Sequence, residues 1–299
     1  MFNTPILFVI FARIDTTQKV FDAIRTCKPK TLYVAADGPR EGKKGEKEKC
    51  QQTRDIIEQI DWDCELKTLF RDKNLGCKMA VSSAISWFFE NEESGIILED
   101  DCLPDQSFFP YCEELLIKYK DDERIGHIGG NCFFPNLFNQ NESYTFSSLS
   151  HIWGWATWRR VWKKYDLNLS YWKEGSKEKR RNLFNYKIEE IYFSSFISDA
   201  INERNGMHAW DCQHLYSLRL QNQLSIYPSI NLVTNIGLYS EEATHISWKN
   251  KHNYIHSKPI KFPLNHPKEI IRNHSIDYTT FRTKYFSWIR LLRYLLNNY

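Results

Sequence analysis

Between Pro5 and Leu98, short apolar runs alternate with stretches of helical periodicity, and this alternation limits the chain to few folds. Pro5 to Ala12 reads as a strand, as does Thr31 to Ala36, which is closed by the turn residues Asp37-Gly38-Pro39. Cys64 to Phe70 reads as a third strand and Gly95 to Leu98 as a fourth. Helices are expected from Thr16 or Thr17 to about Cys27, from Thr53 to Ile60 and from Lys78 to Phe89. The last carries an apolar stripe at Val81, Ala84, Ile85, Phe88 and Phe89. A lysine-rich loop with Lys43, Lys44, Lys47 and Lys49 precedes the second helix. An order of β-α-β-α-β-α-β predicts right-handed crossovers and a parallel sheet with helices on its faces. The fold class expected is α/β, with a Rossmann-like, mostly parallel central sheet.

All the loops after the strands of such a sheet gather on one edge, and here that edge is charged. Arg13 follows the first strand, Asp37 the second, and Glu99-Asp100-Asp101 the fourth. Open α/β sheets bind ligands outside the carboxyl ends of their strands. The three adjacent acids form either a solvated acidic turn or a site neutralised by a divalent cation and a bound diphosphate. Mg²⁺ and Mn²⁺ take few protein carboxylates and let substrate phosphates complete the shell. No Gly-x-Gly-x-x-Gly follows the first strand, and no Gly-x-x-x-x-Gly-Lys-Ser/Thr occurs anywhere. The usual dinucleotide and P-loop cradles are therefore excluded. A Gly-rich loop near the start is also lacking, which counts against a sugar nucleotidylyltransferase.

The second half is less regular. Asp105 is placed to cap a helix bearing Phe108, Phe109, Cys112, Leu115, Leu116 and Tyr119, and Arg124 to Gly130 returns as a short strand. Four tryptophans fall within ten residues, from Trp153 to Trp162. Trp158, Val161, Trp162 and Tyr165 share one helical face, so a Trp-rich helix is expected there, with Trp153-Gly154-Trp155 ahead of it. Further helices are expected near 189–204 and 212–221, and short strands at 224–227 and 231–234. Arg159 to Arg181 holds nine Lys or Arg against three acids, a net of +6. Such a run is a solvated face, or a surface for a phosphorylated acceptor or an anionic membrane. From Lys249 the chain becomes polar and Pro-broken and reads as an extended tail. It ends in a basic amphipathic helix, 281–299, that either docks on the body or makes a peripheral membrane contact.

Composition removes other classes. Forty Lys and Arg against 37 Asp and Glu leave a net charge of +3, too small for an electrostatic nucleic-acid binder, so no nucleic-acid partner is expected. Eight cysteines without a Cys-x-x-Cys pair argue against a structural zinc and suit a reducing compartment. The first residues lack the basic region and cleavage site of a signal peptide, and no apolar run approaches the roughly 18 residues that would span a bilayer. The expected location is cytoplasmic, with the inner membrane face as a candidate peripheral site.

Several motifs, in order, carry a resemblance: Pro5-Ile-Leu-Phe-Val-Ile-Phe-Ala-Arg13, Ala35-Ala-Asp37, Leu98-Glu-Asp-Asp101 with Asp105-Gln-Ser-Phe-Phe109, Gly154-Trp155, and Trp210-Asp211. Over roughly residues 4–248 the chain resembles nucleotide-sugar glycosyltransferases of the GT-A fold. It is most similar to the N-acetylglucosaminyltransferase I family and its bacterial relatives. The resemblance implies a GT-A domain over 1–248, with a nucleotide-sugar-binding half (1–131) and an acceptor-binding half (132–248), followed by a C-terminal helical extension (249–299). It implies that Arg13 and Asp37 contact the nucleotide, that Asp100 faces the ribose, and that Asp101 binds the Mn²⁺ or Mg²⁺ bridging the diphosphate. Gly154 and Trp155 would shape the pocket for donor and acceptor. Asp211 would be the catalytic base; read alone, it is equally a helix cap. His245 is either a second metal ligand or a surface histidine. The expected partners are a nucleotide-sugar donor, UDP-linked in first place, and a glycan or glycolipid acceptor. The basic 159–181 segment and the chain after Lys249 depart from the family pattern and leave the acceptor open. A non-catalytic carbohydrate-binding protein, using the aromatic surface, is the alternative from another class.

Overall fold

Three buried apolar runs and one exposed, mixed edge strand form the parallel half of the sheet. β1 (Ile6–Ile10), β2 (Thr31–Ala36), β3 (Glu65–Phe70) and β4 (Ser94–Glu99) lie in the order β3-β2-β1-β4, with Phe8 opposite Val34 on one side and Leu98 on the other. The computed structural model describes residues 2–138, 141–175, 181, 183–184, 186–202, 210–237, 255–288 and 291–292. Helix α1 (Ile14–Cys27) packs Val20, Phe21 and Ile24 on one face of the sheet. α2 (Glu46–Asp55) starts earlier than the expected Thr53 and takes in Lys47 and Lys49 of the anticipated loop, and α3 (Gly76–Asn91) covers the opposite face with the expected stripe from Val81 to Phe89. Helices on both faces of parallel strands give the α/β, Rossmann-like architecture expected.

The rest of the chain extends this sheet. β5 (Cys102–Pro104) leads into α4 (Phe108–Lys118), and then come β6 (Ile125–Gly129), β7 (Tyr144–Ser147), β8 (Trp155–Trp158), β9 (Leu224–Pro228) and β10 (Val233–Asn235). The full order is β3-β2-β1-β4-β8-β6-β9-β7, and β10 pairs with β5 in a separate antiparallel ribbon. β8 and β7 run against the other six strands, so the sheet is mostly parallel. All eight cysteines are free thiols.

Two expectations are corrected here. The Trp-rich stretch is strand β8, and the helix after it spans only Arg159–Trp162. Trp155 packs in the layer with Leu7, Tyr33 and Ile97, whereas Ala156 and Trp158 pack in the opposite layer with Ile96 and Leu98. A strand buried on both faces shows no polar alternation, and its aromatic spacing imitated a helix. The expected extended tail is also attached to the body over 255–288. Ile260 and Leu264 are buried beside the α4 residues. Buried Asp277 accepts bonds from Ser147 Oγ (2.5 Å) and Ser148 N–H (3.1 Å) and pairs with Arg272. The His274–Thr280 helix runs into a π-helical turn, Phe281–Tyr285, where Phe281 packs on Tyr192 and Phe193. Most of the anticipated 281–299 amphipathic stripe beyond Trp288 lies outside the described residues. Among the described residues no helix is long and apolar enough to cross a membrane.

The helical insertion between β8 and β9 carries Lys187–Ile201 and Asp211–Leu220. A buried ion pair, Arg219 Nη2 to Glu189 Oε1 at 2.6 Å, ties these two helices together, and Arg219 also lies over the rings of Phe184 and Phe193. This clamp fixes the helix that begins with Asp211.

Candidate active site

The parallel pairing of β1 and β4, with Val9 opposite Glu99, sets the residues just beyond both strands side by side. Arg13, at the cap of α1, reaches across with Nη1 3.2 Å from Asp100 Oδ1 and 2.7 Å from Asp101 Oδ2. Asp100 is buried, and its Oδ2 accepts the Phe11 N–H at 3.2 Å. Asp101 is more open. Burial works against the Arg13 charge, but Asp100 and Asp101 outweigh it and hold the guanidinium above its ordinary pKa. Burial, with repulsion from Asp101, Asp100 and Asp211, pushes Glu99 up to about 8 against the pull of Arg13. Burial also raises Asp100, with Arg13 opposing. Two carboxylates, Asp100 and Asp101, thus share one guanidinium with Glu99 close by, and a cation there would ease the repulsion among the acids.

A strap from the far end of the chain closes over this cluster. The β5–β10 ribbon brings Ile236 N–H to the Asp101 carbonyl at 2.8 Å. Gly237 then passes so close that a Cβ there would run into the Asp101 carboxylate, 2.7 Å from its Cβ and 2.9 Å from its Cγ. Gly237→Ala should therefore displace the Asp101 carboxylate while leaving the distant core untouched. The expected outcome is at least a ten-fold fall in donor affinity with a melting temperature within a few degrees of wild type, measured by calorimetric titration and thermal unfolding. Unchanged affinity would show that Asp101 has no part in binding. His245, eight positions further on, lies outside the described residues.

Beside the cluster a cleft of about 630 Å³ opens between the ends of β1 and β2 and the helices α2 and α3. Arg13, Arg40, Lys43, Lys44, Lys49 and Arg71 line it, against Asp37, Glu46 and Asp100. Arg40 is braced by Glu46, whose Oε1 lies 3.0 Å from Nε, and sits over the Phe11 ring. Asp37 also borders the cleft, but its carboxylate is engaged with the protein: it accepts N–H bonds from Gly38, Leu75 and Gly76 and from the Asn74 amide, all at 3.0 to 3.1 Å. It therefore anchors the loop that starts α3. Apart from Arg13, the cleft cations were not marked as site residues by sequence reasoning, although the lysine-rich loop after Asp37-Gly38-Pro39 was their visible signal.

Asp211 opens its helix behind Trp210, and its Oδ1 accepts the Cys212 N–H at 3.0 Å. It is near enough to raise the pKa of Glu99 from one direction and of Tyr285 from another. Gly154 and Trp155 do not border the basic cleft. Trp155 is wholly buried and stacks on Trp210 (5.7 Å) and His127 (5.1 Å). Gly154 has φ +65°, its carbonyl accepts the Gly130 N–H at 2.8 Å, and it leaves no room for a side chain beside Val233 and Leu98. The neighbouring Trp153 lines a cavity. Among the described residues no group of three His, Cys, Asp or Glu side chains is drawn together as a complete cation site. A hard divalent ion at Asp101 would need phosphate oxygens in its shell, which such ions accept.

No family model matches the chain, and no curated protein matches it. Among solved structures, HddC from Yersinia pseudotuberculosis is 6% identical over 58% of this chain and 87% of its own, with a TM-score of 0.33. S. aureus TarS 1-349 is 10% identical over 55% of this chain and 48% of its own, with a TM-score of 0.36. An apo UDP-glucose pyrophosphorylase is 9% identical over 77% of this chain and 93% of its own, with a TM-score of 0.37. Likenesses this weak carry no weight for activity, which rests on the site's own geometry.

Proposed function

We propose that the protein is a metal-dependent inverting glycosyltransferase. It would move a sugar from a nucleoside-diphosphate sugar, UDP-linked in first place, to a hydroxyl of a glycan or glycolipid in surface polysaccharide synthesis. The observation that carries this reading is the juxtaposition, on one sheet edge, of a basic cleft and an acid cluster gripped by Arg13. The cleft cations suit a nucleotide and its phosphates. Asp100, held by Arg13 and the Phe11 N–H, would face the ribose. Asp101, with His245 as the second candidate from sequence, would hold Mn²⁺ or Mg²⁺. When bound, that cation supplies neutralisation of the charge growing on the diphosphate.

Asp211 would act as general base. As the acceptor oxygen bonds to C1 of the sugar, the bond from C1 to the diphosphate oxygen breaks. The electron pair leaves with the diphosphate, and the hydroxyl proton passes to the Asp211 carboxylate. Its place in the first turn sets it at the positive end of the helix dipole. The direct test is nucleoside-diphosphate release from a panel of UDP-, GDP- and CDP-sugars incubated with mixed glycan acceptors. Turnover of one donor, abolished by EDTA and restored by Mn²⁺ or Mg²⁺, is expected. Full turnover in EDTA would remove the metal from the reading, and no turnover or binding of any donor would remove the transferase.

A further inference from the structure

Asp211 also lines a second cavity, of about 270 Å³, whose wall includes Asn131, Phe133, His151, Trp153 and Phe196. We propose that this cavity is the acceptor subsite and that it takes a single pyranose ring; the choice of a sugar rests on the glycosyltransferase reading. Two buried polar atoms carry the inference. Asn131 is 1% exposed, and its Oδ1 accepts the Trp153 N–H at 3.1 Å. That bond fixes the amide's orientation and leaves Nδ2 without a partner. His151 is 8% exposed, its Nδ1 meets the Tyr285 hydroxyl at 3.2 Å, and its Nε2 has no partner. Folded proteins rarely leave such atoms unpaired, and two in the wall of one cavity point to a ligand that pairs them.

The wall's composition narrows the ligand. Phe133 and Trp153 meet edge to face at 5.6 Å, with Phe133 also packed on His151 at 4.9 Å, so aromatic rings share the wall with the residues that carry the two unpaired nitrogens. A pyranose offers the matching pattern, with apolar C–H faces and hydroxyls around its rim. The volume lies just below the roughly 300 to 1,000 Å³ of drug-sized sites, which suits one ring and excludes a longer glycan from full burial. Asp211 in the same wall puts a carboxylate beside a bound hydroxyl. The π-helical turn contributes Tyr285, so the C-terminal extension forms part of the subsite.

Saturation-transfer NMR on the full chain tests this with methyl pyranosides of the gluco, galacto, manno and 2-acetamido-gluco series. At least one should be saturated by the wild type. Asn131→Asp keeps an oxygen for the Trp153 N–H but replaces the unpaired donor by an acceptor, and Phe196→Trp fills the cavity. Each should weaken that pyranoside at least ten-fold, while the thermal shift given by UDP with Mn²⁺ stays at its wild-type value. If no pyranoside is saturated, or both variants bind as the wild type does, the subsite is overturned. If the wild type binds a pyranoside through these residues but no nucleoside diphosphate, the subsite stands and the transferase reading falls.

Discussion

Asp211→Asn is expected to lower turnover by roughly 10²- to 10⁴-fold, the usual contribution of a general base, with donor KM within about three-fold of wild type. The amide keeps the side chain's shape and its place in the first helical turn, so the Arg219–Glu189 clamp should preserve the fold. Asp101→Asn should behave differently. It removes one of two carboxylates that share the Arg13 guanidinium and the carboxylate nearest the strap at Gly237. Donor affinity should therefore fall together with turnover, and added Mn²⁺ should not restore it. Steady-state kinetics on both variants separates the two roles. Equal losses of affinity in both, or full activity in either, would contradict the assignments.

The second large effect is acid unfolding. His127, His151 and His214 are buried side chains, and His127 Nδ1 lies 3.2 Å from His214 Nε2. The His127 Nε2–H donates to the His151 carbonyl at 3.0 Å, so in the neutral ring Nδ1 accepts from the His214 Nε2–H. Burial pushes His127 and His151 down to about 3, and His214 well below its ordinary value. The unfolded chain begins to bind protons at these sites near pH 6.5, whereas the folded chain resists until near pH 3. Their contribution is thus complete above about pH 6.5 and declines as the pH falls towards the folded values. At about 1.4 kcal/mol per pH unit for each ring, pH 5 costs on the order of 2 kcal/mol per histidine, a large share of a typical folding stability. A fall in melting temperature of ten degrees or more between pH 7.5 and pH 5 is expected by calorimetry. A flat profile over that range would show that the rings are charged or solvated in the fold.

Much of the architecture was readable because its causes are local. β1, β2 and β4 are buried apolar runs bounded by turn residues, β3 is the exposed edge strand, and each lies within a residue or two of its anticipated limits. The charged edge was readable for the same reason, since Arg13 and Asp100–Asp101 immediately follow strands that pair directly. What escaped the sequence depends on distant partners. β8 needs β4 and β6 on either side before its tryptophans make sense as a strand. Residues 255–273 have no periodicity and are held by separate long-range bonds, such as Ser257 N–H to Thr234 Oγ1 at 2.7 Å and Asn265 N–H to Ser143 Oγ at 2.8 Å. His151 enters a cavity wall only because Asn131 and Tyr285 arrive there from other parts of the chain.

The central claim is that a nucleoside diphosphate sits in the basic cleft with its phosphates against the acid cluster. Calorimetric titration with UDP, GDP, CDP and ADP, with and without Mn²⁺, tests it most directly. One nucleotide is predicted to bind the wild type in the presence of the cation. That binding should weaken at least ten-fold in EDTA, in Asp101→Asn, and in the Lys43→Glu, Lys44→Glu double variant. Absence of binding by all four, or binding indifferent to the cation and to these substitutions, would contradict the account.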